Sequence, residues 1–392
     1  MTPSIISFFF IYPLYSILGI FLLIYKQKKI GYILLAFFLS LLAYMLVPRE
    51  GMDLDTHFKN FTIFKNMSLK DIVETWGIKY FTFYSFTLGL LKLGFSNNFI
   101  PFLFGLISYL ILFKTHKEVI EKYSSHQKNK NLKFIIFIII LMNASFFSIT
   151  NGIRTGFAFA LLIYVIFNYE LNNKKLTLFF GSIISIAFHP SAFLPIALFL
   201  FCNIYKNIKA YRLMLFSSLL FFLISEKFFY EITYFLKPYL IYFDLYSTSQ
   251  FEIDGKWSGA IDEHLSTKGY IFSTYFKGLP FYLMVINLIF TKKPTNEKLY
   301  NYLCLLVLAI SIASSSYTIY ERYVYYFTMF YCYYFSIELL SKPIKKPKKI
   351  FLFLLIFSLA LYNLGTFYSY LDVISSMYTP FLYKPLPIML YY

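Results

Sequence analysis

The feature that most constrains this fold is a succession of apolar runs long enough to cross a lipid bilayer. A spanning helix needs about 17–25 apolar residues. The chain is 59% hydrophobic and only 14% charged, which excludes a water-soluble surface. We therefore predict an all-α polytopic membrane protein with a single transmembrane domain over 1–392. Twelve runs qualify as spans, at 5–25, 30–47, 97–113, 134–150, 154–170, 176–190, 191–205, 212–226, 270–290, 299–317, 323–340 and 350–371.

A thirteenth apolar piece, Tyr80 to Gly94, is shorter and rich in hydroxyl side chains. We interpret it as one interfacial or re-entrant helix, because counting it as a span would break the alternation of loops described next. It follows a long external segment, 47–79. A second long external segment is predicted at 225–269.

The connectors between the spans define a topology. Basic clusters follow the first, third, fifth, seventh, ninth and eleventh runs, and together they carry all of the chain's net charge of +17. Lys and Arg enrichment in short loops marks the cytoplasmic side. The N- and C-termini of this multi-pass protein are thus expected outside. The first run has its basic residues after it, which is the reverse of a cleavable signal peptide.

The same pattern excludes several function classes. The lysines are dispersed in connectors and form no continuous basic face for nucleic acid. Cys202, Cys304 and Cys332 lie inside apolar runs, which argues against disulfides and a zinc site. The sequence has no glycine-rich phosphate loop, no hydrolase elbow and no metalloprotease motif. No cofactor and no metal are expected.

Arg154 is the first candidate site residue. It begins an apolar run in TNGIRTGFAFALL, in a chain where only four of the 36 basic residues are arginines. Lysine would suffice for an interfacial anchor, which is the plainer interpretation. The alternative is a guanidinium fork that holds an anion such as phosphate.

His189 is the second candidate, in SIAFHPSAFLPIALF at the predicted outer end of a span. A histidine at a tight turn beside proline is often only a satisfied core residue. Its imidazole would equally suit a general base or a hydrogen-bond donor to developing charge.

Two further outer segments carry charge. Arg49, Asp53 and Asp55 lie in PREGMDLD, where a solvated loop, sugar hydrogen bonding and a carboxylate base are the alternatives. Glu321 and Arg322, with Tyr320, lie in SSSYTIYERYVYYF, which would suit a hydroxyl-rich cleft for a glycan. Both tryptophans, Trp76 and Trp257, fall in external segments and offer ring faces to sugars.

Taken together, REGMDLD, NGIRTGFAFALL, AFHPSAFLPIALF and YERYVYYF resemble the EpsG family of membrane proteins, which is associated with Wzy-type polymerisation of capsule, O-antigen and exopolysaccharide. Asn151, Gly152, Ile153 and Arg154 match the family's N-G-I-R segment, with Thr155 in place of the usual glutamine. Phe188, His189 and Ser191 match its F-H-x-S segment. The expected fold is GT-C-like.

The resemblance implies a glycosyltransferase that joins undecaprenyl-diphosphate-linked oligosaccharides, donor and acceptor, on the outer face of a bacterial plasma (inner) membrane. Arg154 and Arg322 would hold the diphosphate, and His189 would contact it or activate the acceptor hydroxyl. Asp53 or Asp55 would be the competing base. Arg49, Asn151, Glu321, Tyr320, Trp76 and Trp257 would bind substrate. Expected partners are membrane lipid and a chain-length regulator and flippase of the same pathway, without nucleic acid.

Three rival functions are open on the sequence. A non-enzymatic scaffold of a polysaccharide export complex would tolerate replacement of Arg154 and His189 without loss of polymer. Another integral-membrane glycan transferase, such as an O-antigen ligase, would show similar outer-face Arg and His residues. A flippase for lipid-linked oligosaccharide would instead place charges within the spans and show a repeat of the helices.

Overall fold

A computed structural model describes residues 2–50, 52–64, 66–76, 80–124, 129–222, 278–315, 317–370 and 373. Within these ranges every regular element is helical, with no strand, so the all-α prediction is confirmed. The predicted external segment 225–269, including Trp257, lies outside the described residues. The chain divides into two compact units, Met1–Ala192 with Thr366–Tyr392, and Phe193–Gly365.

The first unit contains eleven described helices followed by a short turn. They are α1 (Thr2–Ile11), α2 (Ile17–Tyr25), α3 (Lys29–Tyr44), α4 (Asp53–Phe64), α5 (Leu69–Trp76), α6 (Phe81–Lys92), α7 (Phe99–Tyr123), α8 (Lys130–Asn143), α9 (Phe146–Thr150), α10 (Ile153–Asn172) and α11 (Lys175–Phe188), and the 3-10 turn is Pro190–Ala192.

The second unit begins with helix α12 (Phe193–Ile204), and residues 208–222 are also helical. Further helices cover Leu279–Phe290, Glu297–Ile312, Tyr317–Ser341 and Lys346–Ser369, the last of which reaches the boundary between the units.

Several helices have the length and composition of membrane spans. Among the described residues, Phe99–Tyr123, Ile153–Asn172 and Lys346–Phe367 are long and apolar enough to cross a bilayer. Five shorter apolar helices accompany them, at Thr2–Ile11, Lys29–Tyr44, Lys175–Phe188, Pro190–Ile204 and Leu279–Phe290. The protein is thus a helical membrane protein, while the count of twelve spans and the GT-C-like fold stay predictions.

Helix boundaries depart from the apolar runs at three places. The run 5–25 is interrupted between α1 and α2, where Pro13 lacks the N–H that a continuous helix needs. The run 134–150 is split at Ala144 and Ser145 into α8 and α9. Helix α7 continues ten residues past the predicted end at 113, through a segment expected to be a connector.

The extension of α7 has a local cause. Lys114 pairs with Glu118 at 3.9 Å, and Lys117 pairs with Glu121 at 3.4 Å. Both pairs have the i,i+4 spacing that brings side chains together on one helix face. Polar residues therefore prolong this helix beyond its apolar part.

The segment 47–79 also differs from a simple loop, because it contains α4 and α5. Helix α6 occupies the stretch predicted as an interfacial or re-entrant helix. It packs against α4, α5 and α11. The three helices that follow α3 in sequence, α4 to α6, thus form a layer against the rest of the first unit. This layer positions the site.

Close packing of α10 on α11 depends on Gly181. A Cβ built at this position would lie 2.2 Å from Cγ1 of Val165. The Ser185 hydroxyl donates to the Ala158 carbonyl oxygen at 2.6 Å across the same interface. Glycine therefore allows the two backbones to approach and this hydrogen bond to form.

We expect Gly181→Ala to destabilise the protein by about 1–3 kcal/mol, the usual cost of overpacking. Val165 is β-branched and stiff in a helix, so it cannot easily move aside. Thermal unfolding of the purified protein would measure the effect, and Val165→Ala in the same chain should restore part of it. Gly89→Ala is the matched control, because nothing lies within 4 Å of its added Cβ. Equal losses for the two glycines would contradict this account.

Candidate functional site

Arg154 lies in the first turn of α10, directly after a tight corner with α9. A Cβ on Gly156 would lie 2.9 Å from Cα of Ile149, so glycine is required where the two backbones meet. Gly152 precedes the first residue of α10. Gly152 and Gly156 thus allow the tight corner between α9 and α10 at which Arg154 lies.

Three rings of α6 and its preceding residue surround the guanidinium of Arg154. Its Cζ atom lies 4.2 Å from the ring centroid of Tyr80, 5.4 Å from that of Tyr84 and 5.8 Å from that of Phe83. Nη1 also donates to the Tyr84 hydroxyl at 3.4 Å. We call Arg154 with Tyr80, Phe83 and Tyr84 the arginine cage. Each cation–π contact contributes about 0.5–2 kcal/mol.

The cage holds the charge of Arg154 without neutralising it. None of the ion pairs found in the described part of the chain involves Arg154. Aromatic faces stabilise a cation through their quadrupole but bring no net negative charge. The cage is therefore an electrostatic environment suited to an incoming anion.

His189 borders the cage through Tyr80. Its imidazole centroid lies 6.3 Å from the Tyr80 ring centroid, and the residue is buried with 4% exposure. The chain leaves α11 at His189 and enters the turn Pro190–Ala192. The backbone N–H of Ser191 donates to Nδ1 of His189 at 3.2 Å, and the Ser191 hydroxyl also contacts Nδ1.

Asn151 joins the NGIR segment to the PREGMDLD segment. Its Oδ1 accepts the backbone N–H of Leu54 at 2.9 Å, across 97 residues of sequence. Leu54 lies in the first turn of α4, where backbone N–H groups have no helical partner. Asn151 therefore caps α4 from a distance and brings Asp53, the first residue of that helix, next to this corner.

The two carboxylates of α4 have different surroundings. Asp53 is exposed. Asp55 is partly buried and pairs with Lys59 at 2.8 Å. Of the two, Asp53 is the more accessible to a substrate.

Arg49 contacts a second aromatic pair in the first unit. Its Cζ lies 5.4 Å from the ring centroid of Tyr370. Tyr370 stacks on Phe147 of α9, with centroids 4.2 Å apart and planes within 12°. Arg49 thus neighbours α9, the helix that leads into Asn151 and Arg154.

His57 was missed by the sequence prediction and belongs to the same environment. It is 4% exposed, stacks on Phe61 at 5.9 Å and lies 5.5 Å from the Phe83 ring centroid. Burial, and secondly the charge of Arg154, lower its pKa from 6.5 to about 3. His57 is therefore neutral at physiological pH, and its buried Nδ1 has no hydrogen-bond partner among the described residues.

The remaining predicted residues that the structure describes lie on other helices. Tyr320, Glu321 and Arg322 lie on the helix Tyr317–Ser341 of the second unit, where Tyr320 packs on Phe281 at 6.3 Å and Glu321 is exposed. Trp76 ends α5. Within the described ranges, no group of three or more His, Cys, Asp or Glu side chains could hold a metal ion.

One sequence signal could have found the cage. Tyr80, Phe83 and Tyr84 have i, i+3, i+4 spacing, which puts three rings on one face of a helix. His57 had no comparable signal, because its neighbours Phe83 and Arg154 are distant in sequence.

Comparison with known protein families matches the EpsG family over residues 49–383. The chain belongs to the EpsG family. No match was found among curated proteins or among solved structures. The matched region covers most of the chain and contains every candidate site residue. This EpsG protein is thus a membrane protein of polysaccharide biosynthesis.

We expect the stability of this EpsG protein to fall as the pH is lowered from about 6.5 towards 3, in part because of His57. In that interval the unfolded chain binds a proton at this residue and the folded chain does not, which costs up to about 1.4 kcal/mol per pH unit. His57→Phe keeps the ring but removes the titration. Melting temperatures at pH 7, 5.5 and 4.5 should therefore fall less steeply for the variant. An equal fall of melting temperature with pH in the two proteins would refute this role of burial.

Proposed function

We propose that this protein is a Wzy-type polymerase that joins undecaprenyl-diphosphate-linked oligosaccharide repeat units on the outer face of the plasma membrane. The observation that carries the proposal is the arginine cage, a cation held by rings, in a member of the EpsG family. The donor of this reaction leaves as a lipid diphosphate, which is the anion that such a cage suits.

Arg154 is assigned to the diphosphate. Its planar fork binds two oxygens at once, which an ammonium does not. Negative charge grows on the leaving diphosphate as the glycosidic bond breaks, so a preorganised cation lowers the barrier. Arg322, on the second unit, is proposed to assist in this role, with Tyr320 and Glu321 binding substrate.

The sugar units need flat apolar faces and hydrogen-bond donors. Aromatic rings offer such faces, and the pair Tyr370–Phe147 beside Arg49 supplies one in the first unit. Asn151 holds α4 in place by its bond to Leu54. Trp76 and Trp257 are proposed as further sugar contacts.

The acceptor hydroxyl must lose a proton as it attacks. Asp53 is the better-placed carboxylate base, because Asp55 is already paired with Lys59. His189 is proposed either as a base or as a contact to the diphosphate, and its hydrogen bonds from Ser191 favour the diphosphate contact.

The topology and partners complete the proposal. The basic connectors predict both termini outside and the site at the outer face. Proposed substrates are the lipid-linked donor and acceptor in membrane lipid, and a flippase and a chain-length regulator of the same pathway are the proposed functional neighbours. No cofactor is required, because the lipid diphosphate is itself the leaving group.

Another integral-membrane glycan transferase is the alternative function. An O-antigen ligase would use the same diphosphate cage but a different acceptor. The gathering of candidate groups of the first unit around one corner favours a transferase over a flippase, which would need charges along a path through the spans.

We expect Arg154→Ala to reduce long surface polysaccharide about 100-fold or more, because the diphosphate loses its cation. Arg154→Lys should lose at least about tenfold, since it keeps the charge and loses the fork. The polysaccharide ladder of a strain carrying each variant measures this, with membrane levels of the protein checked in parallel.

Arg212→Lys is the matched control, because this arginine donates to the carbonyl oxygen of Thr291 in the second unit, outside the cage. Single repeat units should still reach the surface in the Arg154→Ala strain, which places the defect at polymerisation. An unchanged ladder in that strain would indicate that Arg154 is only an interfacial anchor, and it would refute the proposal. Loss of attachment to the final acceptor with normal polymer length would favour the ligase.

A further inference from the structure

We propose that Ser191 is a positioning residue that fixes the tautomer of His189, so that His189 donates a hydrogen bond to the leaving diphosphate and does not act as the base. The inference rests on the proposed function for its substrate. The assignment of the His189 tautomer rests on geometry alone.

The backbone N–H of Ser191 determines where the imidazole proton lies. This N–H points at Nδ1 of His189, with nitrogen atoms 3.2 Å apart. A backbone N–H can only donate, so Nδ1 must accept and carries no proton. The hydroxyl of Ser191 also contacts Nδ1 and must donate to it in the same way.

A neutral imidazole has one N–H, which must then be on Nε2. Nε2 of His189 is therefore a donor. A base at Nε2 would need the opposite tautomer, with its proton on Nδ1, where it would face the Ser191 N–H. Two donors would then point at each other in a buried place, which is unfavourable.

The turn after α11 explains why the sequence adopts this arrangement. His189 has an extended backbone, with φ −151° and ψ 120°, and directly precedes the turn Pro190–Ala192. Pro190 has no N–H to offer. Ser191 is thus the first residue of the turn with an N–H, and the His189 side chain accepts it.

The position of His189 matches a donor role. The imidazole and the Arg154 guanidinium both contact the ring of Tyr80, with the His189 centroid at 6.3 Å and the Arg154 Cζ at 4.2 Å from the Tyr80 centroid. An anion at the cage would find a cationic fork from one residue and an N–H from the other. Fixed donors aimed at growing negative charge are an effective form of catalysis.

The proposed step transfers the donor glycan from the diphosphate to the acceptor hydroxyl. The acceptor hydroxyl oxygen bonds to the anomeric carbon of the donor, and the bond from that carbon to the diphosphate oxygen breaks, leaving its electron pair on the oxygen. The hydroxyl proton passes to a carboxylate, Asp53 by its exposure. The Nε2 proton of His189 stays on the ring and is hydrogen-bonded to the leaving oxygen.

The first test measures the tautomer directly. The full-length protein in lipid nanodiscs, with ¹⁵N-labelled histidine, would be studied by NMR, and His189 is assigned by the loss of its signal in His189→Gln. We expect a protonated Nε2 and a bare Nδ1 at neutral pH. Ser191→Pro removes the backbone N–H and should shift a measurable fraction to the other tautomer, whereas Ser191→Ala keeps this N–H and should leave Nδ1 bare. A proton on Nδ1 in the wild-type protein would overturn the proposal.

The second test separates a donor from a base. Glutamine places an amide N–H near the position of Nε2 but cannot accept a proton at neutral pH. We expect His189→Gln to retain polymer within about tenfold of wild type, and His189→Ala to lose about 100-fold, at equal membrane levels. A glutamine variant as inactive as the alanine variant would overturn the donor role.

The result of the NMR test does not depend on the proposed function. If Arg154→Ala left the polysaccharide ladder intact, the polymerase proposal would fail. The NMR result would still report the tautomer of His189 and the effect of Ser191 on it.

Discussion

The site depends on one interaction, the contact of the Arg154 guanidinium with the aromatic rings of Tyr80, Phe83 and Tyr84. An arginine at the end of a membrane helix is costly unless a partner compensates its lost hydration. A carboxylate would do this but would also cancel the charge. Rings stabilise the cation and leave its net charge in place, with Tyr80 the closest at 4.2 Å. The charge is thereby available to an anionic substrate.

The corner between α9 and α10 makes this contact possible. Glycine at 156 allows the α9 backbone to lie against α10, and Asn151 reaches back to the first turn of α4. A single short segment therefore presents the arginine and also holds the helix that carries Asp53. Helix α6 packs on α4, α5 and α11, so its rings are supported from several sides.

Protonation states within this corner follow from burial and hydrogen bonding. His57 is held neutral beside Arg154, because a charged imidazole buried there would be poorly solvated and would be repelled by the arginine. We propose that His189 is held in one tautomer by the Ser191 N–H. In this proposal the two histidines differ in role, since His57 packs against the cage ring of Phe83 and His189 presents a donor to the cage. Such an arrangement suits the departure of a diphosphate from a lipid-linked glycan.

Sequence alone determined the class of this protein and the positions of its principal charged groups. Apolar runs predicted the apolar helices of the described residues, because hydrophobic length is a local property, but they did not predict α4 and α5. Arginine at 154 and histidine at 189 stood out since both residue types are rare in this chain, and their motifs identified the family. Local reasoning failed where a helix continued through polar residues by ion pairing, as in α7, or stopped at Ala144 within an apolar run.

Tertiary structure decided which of these groups meet. Only packing brought Tyr80 and Tyr84 onto Arg154, placed Asn151 against Leu54 across 97 residues, and buried His57 among rings. No pattern along the chain encodes such distances, because each contact joins helices that are remote in sequence. The identity of the cation came from the sequence, whereas its aromatic surroundings came from the fold.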